Sequence, residues 1–216
     1  MNPHFIFNVL GSIQNFLLQN RSAEAGTFLL KFARLIRQNI TTINAPVVSL
    51  EDEIERLRNY LDLERLRMGN KFDYVIEKDE TVGELRMRIP SMIIQPYAEN
   101  AVWHGLSSLK EMGRISILFR LLKPNVLQIT VEDNGIGMKR AATYTSNSEA
   151  HLRMGMAMTL KRLEIIGRKY RIETSVSIAE ALPGTFNPGT RVVIVVPVWF
   201  SKEGSQEIAA GSGEVE

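Results

Sequence analysis

The residues best placed to do chemistry lie in the stretch Val131–Met138, which reads Val-Glu-Asp-Asn-Gly-Ile-Gly-Met. Leu127, Ile129 and Val131 alternate with Gln128, Thr130 and Glu132, which predicts a strand that delivers Asp133 to its end. Gly135 and Gly137 follow at spacing two and let the backbone bend close to whatever the carboxylate holds. A carboxylate accepts a hydrogen bond from an amino group, and glycines admit a flat ring or a phosphate. Asp-Asn-Gly is also an ordinary turn signal, so the stretch alone is ambiguous. A second set lies in Gln-Pro-Tyr-Ala-Glu-Asn-Ala-Val-Trp-His-Gly, where Asn100 and His104 are four apart and share a helix face. Ile94, Tyr97 and Ala101 form the opposite stripe, and Glu99 precedes Asn100. A neutral amide beside a strand-end carboxylate suits a magnesium ion also held by phosphates, because Mg²⁺ takes few protein ligands and keeps waters. The plainer alternative is a satisfied helix Asn and a His near the negative end of the helix dipole.

The elements that must position these groups follow from periodicity. Ile6, Val9, Leu10, Ile13, Phe16 and Leu17 recur at three and four, giving one apolar stripe. His4, Asn8, Ser12 and Asn15 fall on another face of that helix. With helix pattern from its first residues, the chain reads as cut from something longer. A second helix after Asn20–Ser22 carries Leu29, Phe32, Ala33, Ile36 and Ile40. The two form an αα-hairpin that covers little by itself, and a second copy is the simplest cover. Ala45-Pro46 breaks the pattern. Ser49 with Asp52 then opens a helix bearing Leu50, Ile54, Leu57 and Leu61, which runs to Gly69-Asn70.

Strands are expected at Phe72–Glu77 and Leu85–Ile89, then a helix Ser91–Trp103 closed by Gly105. Further strands are expected at Arg114–Leu121 and Val126–Glu132. Lys139–Arg153 has few core residues and reads as a mobile loop before a helix at Gly155–Lys169. Strands Ile172–Ala179 and Arg191–Val198 complete the pattern, the last apolar on both faces and so buried in the sheet. The expected class is α+β: a helical hairpin over 1–48, a connecting helix over 49–70, and an α/β sandwich over 71–200. Its helices lie on one face of a largely antiparallel sheet, and 201–216 reads as a disordered tail.

Bulk properties narrow the function classes. The formal charge is +2; the tail holds four glutamates against Lys202, which leaves +5 on the body. That is too mild for nucleic acid, and no Lys/Arg run forms a binding stripe. With no cysteine, disulfides and thiolate chemistry are excluded, and three scattered His make a poor zinc set. No segment has the apolar length of a membrane span, and the N-terminus lacks the charged head of a signal peptide. The reading is a soluble chain from a reducing compartment.

The three stretches together resemble a known family. Gln-Pro-Tyr-Ala-Glu-Asn-Ala-Val-Trp-His-Gly, Glu-Asp-Asn-Gly-Ile-Gly-Met and the helix ending Lys161-Arg162-Leu163 occur in the order found in the Bergerat-type ATP-binding domain of gyrase-type ATPases and histidine kinases. Asn2-Pro3-His4-Phe5-Ile6-Phe7-Asn8 resembles the phosphoacceptor motif of one branch, the LytS-like sensor histidine kinases. Asn59-Tyr60-Leu61-Asp62-Leu63-Glu64 followed by Arg67 resembles the same branch. The resemblance runs from residue 2 to about Val198.

It implies a catalytic fragment of a two-component sensor histidine kinase that uses ATP and Mg²⁺. His4 would accept the γ-phosphoryl group, and Asn100 would hold Mg²⁺. Asp133 would accept from the adenine amino group, Gly135 and Gly137 would shape the adenine pocket, and His104 would stack on the ring. Met138 and Met156 count among the nucleotide-binding residues. Lys139–Arg153 would be the lid, and Gly155 would start a helix whose N-terminus faces the phosphates. Asn8, one turn beyond His4, could place a water for dephosphorylation or be a plain helix-face Asn. The implied partners are a second copy, through the N-terminal helices, and a response-regulator receiver domain. The implied place is the cytoplasm, with membrane anchorage only through a region upstream of Met1, in the bacterial inner membrane.

The chain departs from the pattern twice. Arg153-Met154-Gly155-Met156-Ala157-Met158 keeps one glycine of the second glycine box and lacks its Asn, and Phe5 follows His4 where histidine kinases in general carry an acid. The other readings are a nucleotide-binding dimeric scaffold with weakened catalysis and a gyrase-type ATPase without a phosphoacceptor.

Overall fold

The computed structural model describes residues 3–43, 45–83, 85–137 and 148–200. Helices α1 (Pro3–Leu18) and α2 (Ser22–Ile43) form the hairpin, and β1 (Val47–Ser49) leads into α3 (Leu50–Arg67). Strands β2 (Phe72–Lys78) and β3 (Met87–Pro90) precede α4 (Gln95–Asn100), which continues as a π-helical segment, Ala101–Leu106. Then come β4 (Gly113–Lys123), β5 (Val126–Asp133), α5 (Ser148–Tyr170), β6 (Ser175–Ala179), β7 (Thr190–Pro197) and β8 (Trp199–Phe200).

The main sheet runs β2-β4-β5-β7-β6. Only β2 and β4 are parallel in it, so the expected largely antiparallel sheet holds. Alternation along its central strands buries Ile115, Ile117, Phe119, Leu127, Ile129, Val131, Val192, Ile194 and Val196 on one face. Each such side chain contributes about 1.5–3 kcal/mol relative to exposure. The expected burial of the last long strand holds as well, because β7 is flanked by β5 and β6. A second sheet, β1-β3-β8, was not expected. Its strands are two to four residues long, too short for alternation to register, and long-range pairing alone defines them.

Helix α3 obeys its local code. Ser49 Oγ accepts from Asp52 N at 3.0 Å, acids fill the first turn and Arg65 and Arg67 the last, all favourable to the helix dipole. Leu50, Ile54, Leu57 and Leu61 are buried as their spacing predicts.

The hairpin needs a correction. Phe5, Val9 and Phe16 of α1, and Ala25, Phe28 and Leu35 of α2, face inward. Ile6, Leu10, Leu17, Leu29 and Ile40, expected on the buried stripes, are exposed instead. Both helices carry apolar residues around more than one face, and α3 covers only one. Phe5 sits in that inner layer, its ring 5.6 Å from Tyr60 of α3 and 6.2 Å from Phe32. The position after His4 therefore packs rather than titrates.

Candidate functional site

Strand β5 ends at Asp133, which is paired with Ile115 of β4 on one side and Thr190 of β7 on the other. The carboxylate is 4% exposed. Gly135 N donates to its Oδ1 at 2.8 Å. The backbone and side chain of Thr190 hydrogen-bond it as well. Burial outweighs these bonds and pushes the carboxyl up to about 6. At neutral pH the group is an ionised, poorly solvated acceptor.

Close backbone approach surrounds the carboxylate. A Cβ on Gly105 would lie 2.7 Å from Asp133 Oδ1, and one on Gly135 would strike the Gly105 carbonyl. The two turns are stitched by Ile136 N donating to Gly105 O at 3.0 Å and Gly189 N donating to Gly135 O at 2.9 Å. Asn134 has the plainer turn role: its side chain accepts from Arg114 N at 2.6 Å and donates to Met112 O at 3.2 Å, pinning the turn to β4. Gly105, Gly189 and Thr190 are site residues that sequence reasoning missed. Their signals were present, but Gly105 read as a helix stop and Gly189-Thr190 as the end of a Pro/Gly loop.

The helix carrying Asn100 and His104 also differs from expectation. It begins at Gln95 rather than Ser91 and becomes π-helical from Ala101, so Gly105 lies inside it. Ser91 is occupied elsewhere, its Oγ donating to Ala45 O at 2.6 Å. Ile94, Tyr97 and Ala101 are buried as expected; Asn100 and His104 are half-buried. A π-helical turn widens the helix and recurs at functional sites. Here it seats Gly105 on the Asp133 carboxylate, directly after His104.

Helix α3 supports this segment through buried polar groups. Arg56 pairs with Glu53 at 2.5 Å, both essentially sealed from water, and also donates to Gln95 Oε1. Gln95 Nε2 donates to Glu99 Oε1 at 2.8 Å. Burial raises the carboxyl pKa of Glu99 above its ordinary value. From the other side Arg162 of α5 donates to Ser91 O at 2.7 Å and Pro46 O at 3.0 Å, and its neighbour Leu163 is buried. The Lys161-Arg162-Leu163 stretch, inside α5 rather than at its end, thus docks the helix against the segment before α4.

The other expected residues divide as follows. Asp133 and Gly135 come together against Gly105, Gly137 lies against Pro188 and Gly189, and Asn100 lies on the same helix as His104. His4 is in the first turn of α1, but its side chain lies outside the described residues. Asn8 is half-buried, and its carbonyl accepts from Ser12 Oγ at 2.8 Å. Met138 and residues 139–147 of the expected lid lie outside the described residues. The remainder of that range is helical, because α5 starts at Ser148. Gly155 is therefore inside the helix, where its N–H is not one of the free first-turn donors, and the anion-binding argument for it fails. Met156 is half-buried and packs against the core.

The α/β sandwich, with a strand-end Asp in a glycine cradle, has the fold of histidine kinase catalytic domains. The mycobacterial sensor histidine kinase MprB has this fold: TM-score 0.51, 16% identity, 72% of this chain and 98% of that one covered. Residues 1–72 match the histidine kinase family. The sensor histidine kinase BtsS of Escherichia coli is 30% identical over 176 residues, which is 81% of this chain and 29% of BtsS. The sensor protein LytS of Enterococcus faecalis is 29% identical over 138 residues, 64% of this chain and 23% of LytS. In sequence the chain is similar to LytS-like sensor histidine kinases, and it spans less than a third of either of these two relatives.

Proposed function

We propose that the chain is the catalytic part of a two-component sensor histidine kinase, transferring the γ-phosphoryl group of ATP to His4 and thence to a receiver-domain aspartate. The observation that carries this reading is Asp133, a buried ionisable acceptor at a strand end, enclosed by a cradle that any Cβ would fill. A carboxylate has about four lone-pair sites. Those not used by Gly135 and Thr190 can accept the adenine amino group. Gly135 and Gly137 let the flat ring approach and His104 stacks on it, with Met138 and Met156 counted among the nucleotide-binding residues on the family resemblance. Asn100 holds Mg²⁺, which supplies charge neutralisation on the phosphates. No group of three or more His, Cys, Asp or Glu that could hold a metal occurs among the described residues, so the phosphates bring most of the ligands.

In the reaction the neutral imidazole of His4 attacks the γ-phosphorus in line. The N–P bond forms as the bond to the β,γ-bridging oxygen breaks, and ADP leaves. The site contributes positioning more than covalent work. The division into a phosphoacceptor hairpin over 1–48, a connecting helix over 49–70 and a kinase domain over 71–200 belongs to this reading. So do a cytoplasmic location, membrane anchorage through upstream sequence, and a phosphatase role for Asn8. The exposed apolar face of the hairpin, with Phe7 71% and Leu30 74% exposed, supports a homodimer.

The test is incubation with γ-labelled ATP and Mg²⁺. Label stable to base, labile to acid and abolished by His4→Gln is expected. If ATP binds yet neither this chain nor a form extended upstream takes label, the kinase reading fails and a nucleotide-binding scaffold remains.

A further inference from the structure

Three consecutive residues join the nucleotide pocket to α3. Gly105 touches the Asp133 carboxylate, His104 precedes it, and Trp103 lies under a cation: the Arg67 guanidinium carbon is 4.4 Å from the indole centroid. Arg67 is the last residue of α3. It is held in place from one side, with Nε and Nη2 donating to Glu64 Oε2 at 2.8 and 2.5 Å. The Glu64 carboxylate is wholly buried, while the Arg67 side chain keeps 21% of its exposure. Two bonds to one oxygen fix the guanidinium plane, and a fixed plane over an indole fixes the indole in turn. The chain of contacts extends the other way, since Tyr60, one turn before Glu64, packs on Phe5 of α1.

We propose that Arg67, clamped by Glu64 and stacked on Trp103, is a positioning residue for the nucleotide pocket, holding the π-helical segment so that Gly105 stays seated on Asp133. This rests on the nucleotide-binding reading above. A π-helical turn is rare and occurs mostly as a single turn at functional sites, so contacts from outside the helix bear on where it sits. Trp103 is its only side chain stacked with a cation of α3 among the described residues. If the indole swings away, Gly105 O leaves Ile136 N and the floor of the pocket opens.

Two variants test this in the full chain, both carrying Trp199→Phe so that Trp103 is the sole indole. Glu64→Gln with Arg67→Met removes the buried carboxylate and its part-exposed cation together while keeping volume, which commonly leaves stability intact. Arg67→Lys keeps the ion pair and loses the planar stack. The expected result is melting close to the parent, a red-shifted Trp103 emission, and Mg-ADP affinity weaker by about tenfold in the double variant and less in Arg67→Lys. Parent-like affinity in either folded variant overturns the proposal. A parent chain that binds no Mg-ADP instead sinks the nucleotide-site reading.

Discussion

Acidification should weaken nucleotide binding, and Asp133, the group responsible, makes a contribution to the stability of the empty fold that runs the opposite way. Its carboxyl is raised from 3.8 to about 6 by burial. Only the ionised form accepts the adenine amino hydrogen without competition, so affinity scales with the ionised fraction. That fraction falls from nearly all at pH 7.5 to about a tenth at pH 5, which weakens binding by about tenfold. The sign for stability is opposite. A folded-state pKa above the unfolded one means that the folded chain holds the proton more tightly. Its contribution is full below about pH 4 and lost as pH rises through about 6. Two pKa units correspond to about 3 kcal/mol. Burial raises Glu64 and Glu99 too, so they share this sign. The phosphates of ADP also titrate. The quantity to read is therefore the difference between parent and Asp133→Asn, by calorimetric ADP titration and urea melts across pH 5 to 7.5. Asp133→Asn should bind about 1–3 kcal/mol more weakly at neutral pH and lose this part of the slope. Parallel pH profiles in the two proteins would refute the reasoning.

Gly135→Ala drives a Cβ into the Gly105 carbonyl, so a thermal melt should show a loss of about 1–3 kcal/mol together with loss of ADP binding. Arg56→Ala strands Glu53 in a fully buried position and should cost about 3–5 kcal/mol in urea unfolding, whereas an unchanged midpoint would mean the pair is wetter than its geometry. Leu30→Glu on the exposed hairpin face should leave monomer stability nearly unchanged but shift sedimentation toward monomer on dilution; an undisturbed dimer would move the interface elsewhere.

What the sequence determined by itself was local or strictly periodic. The alternation around Ile129 fixed β5 and put Asp133 at its end, and Ser49 with Asp52 fixed the start of α3. The motif order pointed to the histidine kinases, the proteins to which the chain is similar. Tertiary structure decided whatever depended on partners distant in the chain. Which of two apolar faces the hairpin buries depends on where α3 lies, and no periodicity in α1 or α2 encodes that. The small sheet exists only because Ser49, Arg88 and Trp199 meet from three parts of the chain. Gly105 looked like a helix stop because a glycine's local signal is its backbone freedom; its actual role is the space it leaves for the Asp133 carboxylate, 28 positions away in sequence. The π-helical turn follows from the same cause, since local propensity favours an ordinary helix there and contact with β5 and α3 overrides it.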